Sequence, residues 1–442
     1  MKANTYPSIG ILAVFYLLFC TTLIHAQSSS TPADVPDLAE VFLSPAASSI
    51  SASEAQNTFS KYGFHWQSSD QSSAQIRHRS LHFDQHSVYD ATLWFQQDRL
   101  QSLNISLYNR GDAGDLSEDA FFSKVNSIQT TLSQHLKNEP VEAERDPKSL
   151  VRMQSLIWTF PDAQVLLESS FTRENKSRRT PFRAEFIRLR ITFSSEQTQQ
   201  PQSISSTTST SPSSILSAPD VSDTGEVLLG NIPMVDQGQK GYCVVASTER
   251  ILLYYGKSAD QHELAQLANT ATEGGTSRDE MLSALKDISN KLRIRVKSYY
   301  EFNFDDLRKT IYDYNRLARR NRHDLIDLNR AASYQEIYDQ LIPDIFLETR
   351  ESQRSDFRRF SSDIQKEISE GIPLLWTVQL GLFSESPAIN NPGAHMRLII
   401  GYNKENSEII YSDSWGPGHE KKYMPLNKAW AITTALYTIE PK

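Results

Sequence analysis

The chain has 442 residues, more than one ordinary core needs and enough for two or three domains. Hydrophobic residues make up 39% and charged residues 22%, the balance of a soluble globular protein, and the formal net charge of -8 gives no basic footprint for binding nucleic acid. Two cysteines rule out a disulfide-stapled scaffold.

The chain opens with Met1-Lys2, an apolar run from Ile9 to Ile24, and His25-Ala26-Gln27. This order fits a secretory signal peptide over 1–26, cleaved near Ala26. The run falls short of the roughly 20 residues that span a bilayer, so no stable membrane span is expected after cleavage. The bulky Phe19 before Cys20 argues against a lipoprotein signal. The expected location is secreted or periplasmic, and Cys20 leaves with the signal, so that Cys243 is the single thiol of the mature chain.

Residues 27–195 are expected to form an amino-terminal α+β domain. Leu93, Phe95, Leu100, Leu103, Ile105 and Leu107 flank Gln97-Asp98 as two strands flank a hairpin turn. Ser117 then starts a helix whose apolar stripe is Phe121, Phe122, Val125, Ile128, Leu132 and Leu136. Two more strands surround Pro161-Asp162, and Ile187, Leu189, Ile191 and Phe193 alternate with Arg188, Arg190 and Thr192. His65, His78, His82 and His86 lie in a stretch with neither a helical stripe nor paired carboxylates and read as surface or strand histidines, not metal ligands. The sequons at Asn104 and Asn175 are too short to carry weight. Residues 196–225, rich in Ser, Thr, Gln and Pro, read as a linker.

Chemistry concentrates in 226–442. The sequence NIPMVDQGQKGYCVVASTERILLYYG places a helix at or just before Cys243, with Val244, Ile251, Leu252 and Tyr255 as its apolar face and Gly256 as its stop. A helix N-terminus offers unpaired N–H groups and partial positive charge, which favour thiolate. Six positions earlier Gln237 could donate to an oxyanion beside the Cys243 N–H, with Gln239 as the competing candidate. Further on, Met396–Tyr402 and Glu408–Tyr411 are extended runs joined by a turn at Lys404-Glu405-Asn406-Ser407. Closing that hairpin brings His395 beside Asp413, a carboxylate that would fix the tautomer of the imidazole and stabilise its protonated form. Trp415 is expected to pack over that contact.

These residues, in the order Gln, Cys, His, Asp, with Q-G-x-x-G-x-C opening a helix and D-S-W-G near the end, resemble the papain-like cysteine peptidase superfamily. Within it the likeness is to the bacterial double-glycine-leader, bacteriocin-processing-type peptidases, where Asp is usual at the position of Asp413; papain has Asn there. The helix and strand of Asp363–Leu380 around Gly371-Ile372-Pro373, and the helix of Met281, Leu282, Leu285 and Ile288 after Gly275-Thr276, fit the same pattern. Lys240-Gly241-Tyr242 and His419 depart from papain's own sequence.

The resemblance implies a Cys-bearing helix packed on an antiparallel sheet that carries His395 and Asp413, preceded by a separate α+β domain. It implies an exported cysteine peptidase with a Cys243–His395–Asp413 triad and a Gln237 oxyanion hole, acting on peptide or protein and needing no metal or organic cofactor. The same triad would serve a transglutaminase or amidase, and a peptidase-like binding module with an inert Cys243 is the non-enzymatic alternative. The helix-rich stretch near 301–360, which includes Arg316, Arg319, Arg320 and Arg322, reads as an insertion with a solvated charged face. The role of the amino-terminal domain is left open between two readings: covering the peptidase cleft until the linker is cut, by analogy with secreted enzymes of this type that carry an inhibitory prodomain, and targeting or substrate recruitment.

Overall fold

The computed structural model describes residues 35–68, 70–144, 149–174, 181–193, 218–238, 241–257, 259–270, 278–330, 334–386 and 392–442. The expected signal peptide, most of the linker, Gln239, Asn175 and Gly275-Thr276 lie outside them. Pro36–Lys442 forms one compact unit, built on two eight-stranded sheets, each with its own core.

The amino-terminal half begins with α1 (Leu38–Phe42) and α2 (Ala52–Phe59), the latter closed by a capping box between Ser51 and Glu54. Strands β1 (His65–Trp66), β2 (Ser73–Ile76), β5 (Asp90–Gln96) and β6 (Arg99–Asn109) follow, with a small hairpin of β3 (His82–Phe83) and β4 (His86–Ser87) set apart from the main sheet. The β5–β6 turn falls on Gln97 and Asp98, both at positive φ, as a two-residue hairpin turn requires. Helices α3 (Arg110–Ala113) and α4 (Glu118–Leu136) come next; α4 is capped by Ser117 and buries Phe121, Val125, Ile128 and Leu132. Strands β7 (Val141–Glu142), β8 (Gln154–Thr159), β9 (Ala163–Thr172) and β10 (Arg183–Phe193) complete a sheet of order β1-β2-β5-β6-β10-β9-β8-β7. Of the four histidines, His65, His82 and His86 sit on strands, with His86 Nε2 3.2 Å from Thr131 Oγ1. Among the described residues no group of three or more ligating side chains is placed to hold a metal.

The chain resumes at β11 (Asp220–Val221), which lies within the expected linker and is nonetheless part of the second sheet, pairing with β12 (Glu226–Leu228). Helices α5 (Cys243–Tyr254), α6 (Gln261–Leu267) and α7 (Arg278–Leu292) lead to β13 (Ile294–Glu301). The expected insertion folds as α8 (Phe304–Arg320), α9 (Tyr334–Asp339) and α10 (Pro343–Glu351) around a small core of Leu307, Ile311, Tyr314 and Phe346. Helix α11 (Arg354–Ser369) precedes β14 (Leu374–Leu380), β15 (Gly393–Asn403), β16 (Glu408–Ser412), β17 (Lys422–Pro425), α12 (Leu426–Ile432) and β18 (Thr433–Pro441). The order is β11-β12-β15-β14-β18-β13, with β16 between β15 and β17. Side chains alternate across this sheet. Leu375, Met396 and Leu398 pack with α5 to α7, whereas Trp376, Val378 and Ile399 pack with α11 and α12. No described helix is long and apolar enough to cross a membrane.

The two halves meet through buried charge. Arg188 on β10, which alternates with apolar residues, is itself buried and ion-pairs with Glu168 at 2.5 Å and with Glu263 of α6 at 2.7 Å. The second Glu263 oxygen accepts the Leu150 N–H at 2.9 Å, Ser170 Oγ donates to Gln266 at 2.6 Å, and Arg110 reaches the Thr270 carbonyl. The carboxy-terminal half therefore packs against β9 and β10 of the amino-terminal sheet around Arg188 and Ser170.

Candidate active site

Helix α5 begins at Cys243 itself, so its N–H is among those a helix leaves without an intrahelical partner. The face behind the cysteine is held by packing of Val244, Val245, Ile251 and Leu252, and by Arg250. That buried guanidinium donates to the Pro233 carbonyl at 2.7 Å, the Asp413 carbonyl at 2.9 Å and Ser412 Oγ at 2.6 Å. Burial pulls its pKa down to about 10 against the opposing pull of Asp413 and Glu420. One side chain thus fastens the cysteine helix to the end of β16 and to Asp413 just beyond it.

The hairpin of β15 and β16 pairs Leu398 with Ser412, shifts register between Ile399 and Gly401, and turns at 404–407. His395, three residues into β15, lies opposite Val378 of β14 and reaches Asp413 just past the end of β16. His395 Nε2 is 3.0 Å from Asp413 Oδ1. The ring also interacts with the Cys243 thiol, and with Nε2 engaged by Asp413 the nitrogen left for it is Nδ1. Burial pushes the Cys243 thiol up, but the His395 hydrogen bond and charge, with the backbone at Met396 and Val244, outweigh it and leave the pKa lowered. Burial pulls His395 down, and its bonds to Asp413 and Cys243 overcome that and raise it. The two shifts favour a thiolate–imidazolium pair.

Asp413 is fully buried and heavily compensated. Burial would raise its pKa, yet the His395 hydrogen bond, Arg397 and Lys422 hold it far below the usual carboxylate range. Arg397 Nε donates to Oδ1 at 2.8 Å, and Lys422 Nζ lies 3.4 Å from Oδ2. The other face of Arg397 is clamped by both Glu385 oxygens, at 3.0 and 2.8 Å, while Tyr411 donates to Glu385 at 2.6 Å. The Trp415 ring stacks on His395 at 4.3 Å and 18°, and His419 meets Trp415 edge-on at 5.4 Å. Gln237 is buried: its N–H donates to the Ser414 carbonyl at 2.9 Å, and Ser414 Oγ donates to its Oε1 at 2.7 Å. Nε2 is the donor end of this amide.

The structure therefore hydrogen-bonds His395 to Asp413, couples the imidazole to the Cys243 thiol, stacks Trp415 on the ring, and ties Gln237 to Ser414. Sequence reasoning missed Arg397, Glu385, Lys422 and Arg250. Arg397 alone left a signal, standing two residues after His395 on a strand and so on the same face.

A thiol at the start of a helix beside an imidazole on an antiparallel sheet is the arrangement that papain-like cysteine peptidases use. Residues 229–437 match the family described as "Peptidase_C39 like family". Similar solved structures include the peptidase domain of Streptococcus ComA, described as a bi-functional ABC transporter involved in a quorum sensing pathway. It is 16% identical, covering 48% of this chain and 99% of that one, with a TM-score of 0.26. Another is xylellain, a cysteine protease from Xylella fastidiosa, at 14% identity, covering 53% of this chain and 91% of that one, with a TM-score of 0.28. Likeness at that level bears on neither substrate nor mechanism. No curated protein matches the sequence.

Proposed function

We propose that the protein is an exported peptidase that hydrolyses peptide bonds through Cys243, His395 and Asp413, with Gln237 Nε2 and the Cys243 N–H as oxyanion donors. The observation that carries this reading is the His395 ring held 3.0 Å from the buried Asp413 carboxylate while interacting with the thiol at the start of α5. The Cys243 thiolate attacks the peptide carbonyl carbon, and the negative charge passes to the carbonyl oxygen between the two donors. As the tetrahedral species collapses, the proton on His395 Nδ1 goes to the departing amine. A water then loses its proton to Nδ1 and attacks the thioester, releasing the carboxylate and regenerating the pair. Asp413 holds the ring orientation through Nε2 in both half-reactions. Trp415 covers the bond between them and limits competition from water. Export rests on the apolar run Ile9 to Ile24 followed by Ala26.

Cys243→Ala should abolish cleavage of a peptide library, followed by mass spectrometry, and labelling by iodoacetamide, while the near-UV circular dichroism stays as in the parent. Retained cleavage would overturn the proposal. Running the library with added amine reports acyl transfer as an amide product instead of the acid.

A further inference from the structure

The segment that carries Gln237, residues 229–238, belongs to no helix or strand, so something outside it must fix its course. Part of that support comes from the amino-terminal half. The Met234 N–H donates to the Gln67 carbonyl at 2.7 Å, and the Asp236 N–H to Oε1 of the buried Gln75 at 3.3 Å. Asp236 in turn accepts the Gly238 N–H at 2.8 Å, closing a turn around Gln237. Arg77 lies against that turn so closely that a Cβ on Gly238, which has φ +69°, would overlap its guanidinium. The guanidinium is itself fixed, 3.2 Å from Asp90 and 3.0 Å from Asp112, and is attracted to Asp236. On the far side, the ring of Tyr242, the residue before the nucleophile, rests on Gly111, where a Cβ would fall 2.6 Å from it.

We propose that Arg77 is a positioning residue for the oxyanion donor, and that through it the amino-terminal half is a working wall of the active site rather than a removable cap. This rests on the peptidase reading and on Gln237 as the donor. A rigid fork held by two carboxylates can seat a turn to a fraction of an ångström, and donors to an oxyanion act only when so held. Displacing the turn moves Gln237 away from the oxygen while Cys243 and His395, carried on α5 and β15, stay in place.

Two probes of the full chain separate these parts. Iodoacetamide alkylates the thiolate at an sp3 carbon, expelling iodide and forming no oxyanion, whereas acylation by p-nitrophenyl acetate passes through one and expels p-nitrophenolate. Arg77→Ala should slow acylation about tenfold, a part of the roughly 10²–10³-fold that loss of an oxyanion donor costs, and leave alkylation within about twofold. Arg77→Lys should recover part of the loss. In a Gln237→Ala background, Arg77→Ala should add less than about twofold, because the residue it positions is gone. Should Arg77→Ala unfold the chain, as a raised urea sensitivity would reveal, Gln75→Met removes the Asp236 acceptor without disturbing the ion pairs and should give the same split. Equal slowing of both probes, unchanged acylation, or full additivity with Gln237→Ala would overturn the proposal and leave the peptidase reading standing. A parent thiol that iodoacetamide does not touch would overturn both.

Discussion

Asp413→Asn keeps the outline of the side chain and removes its charge, which makes the buried ionic network report on its own arrangement. Oδ1 accepts from both His395 Nε2 and Arg397 Nε, and an amide oxygen would continue to do so. Oδ2 faces Lys422 Nζ at 3.4 Å and His419 Nδ1 at 4.0 Å, where an amide nitrogen sets donor against ammonium. Breaking a buried ion pair from one side costs about 3–5 kcal/mol. Glu385 still neutralises part of the cluster, at 2.8 Å from Arg397 and 3.7 Å from Lys422, so the lower end is expected, about 3 kcal/mol.

The same substitution weakens what raises the His395 pKa. A loss of about 1.4 kcal/mol there lowers the alkaline limb of thiolate–imidazolium reactivity by about one pH unit. The acid side follows from the depressed Asp413 pKa. Its stabilisation is complete above the unfolded value of about 4 and is lost as pH falls through the folded value, so the variant should lose less stability on acidification than the parent. Urea unfolding at pH 7 and pH 3, and iodoacetamide alkylation across pH, measure these effects. Adding Lys422→Met should restore part of the stability without restoring the limb. Unchanged unfolding free energy together with an unmoved alkaline limb would refute the reasoning.

Trp415→Leu removes the ring stacked on the imidazolium; with about 1–2 kcal/mol expected for such a contact out of water, the alkaline limb should drop by about one pH unit in the same alkylation profile. Arg188→Met takes from Glu263 the cation it pairs with and leaves Glu168 with Arg190 at 3.4 Å, and urea unfolding should show a loss of about 3–5 kcal/mol, partly recovered by Glu263→Gln.

The parts of the fold that local pattern governs could be read from the sequence. Ser117 caps α4, Gln97-Asp98 forms the β5–β6 turn, and α5 starts on Cys243 because each depends on neighbours within a few residues. The pairing of His395 with Asp413 was legible for the same reason, since one turn fixes one hairpin. What failed was whatever depends on a distant surface. Arg188 and Arg190 alternate with apolar residues as an exposed face would, and nothing local announces that α6 arrives to bury Arg188 against Glu263. Glu385 stands before β15, and its clamp on Arg397 depends on three strands assembling. Gln75 and Arg77 support Gln237 from more than a hundred residues away, in a half where no catalytic motif drew attention to them.

The charged seam at Arg188 bears on what happens if the connecting segment 194–217 is cut. Glu168 and Arg188 come from one half and Glu263 from the other, with the Leu150 N–H and Ser170 adding bonds across the same boundary. Separating the pieces would strand these groups in opposite fragments, and each would need water it now lacks. Proteolysis there would accordingly yield a two-chain protein that migrates as one species under native conditions, with Cys243 on one chain and Gln75 and Arg77, which abut the Gln237 turn, on the other.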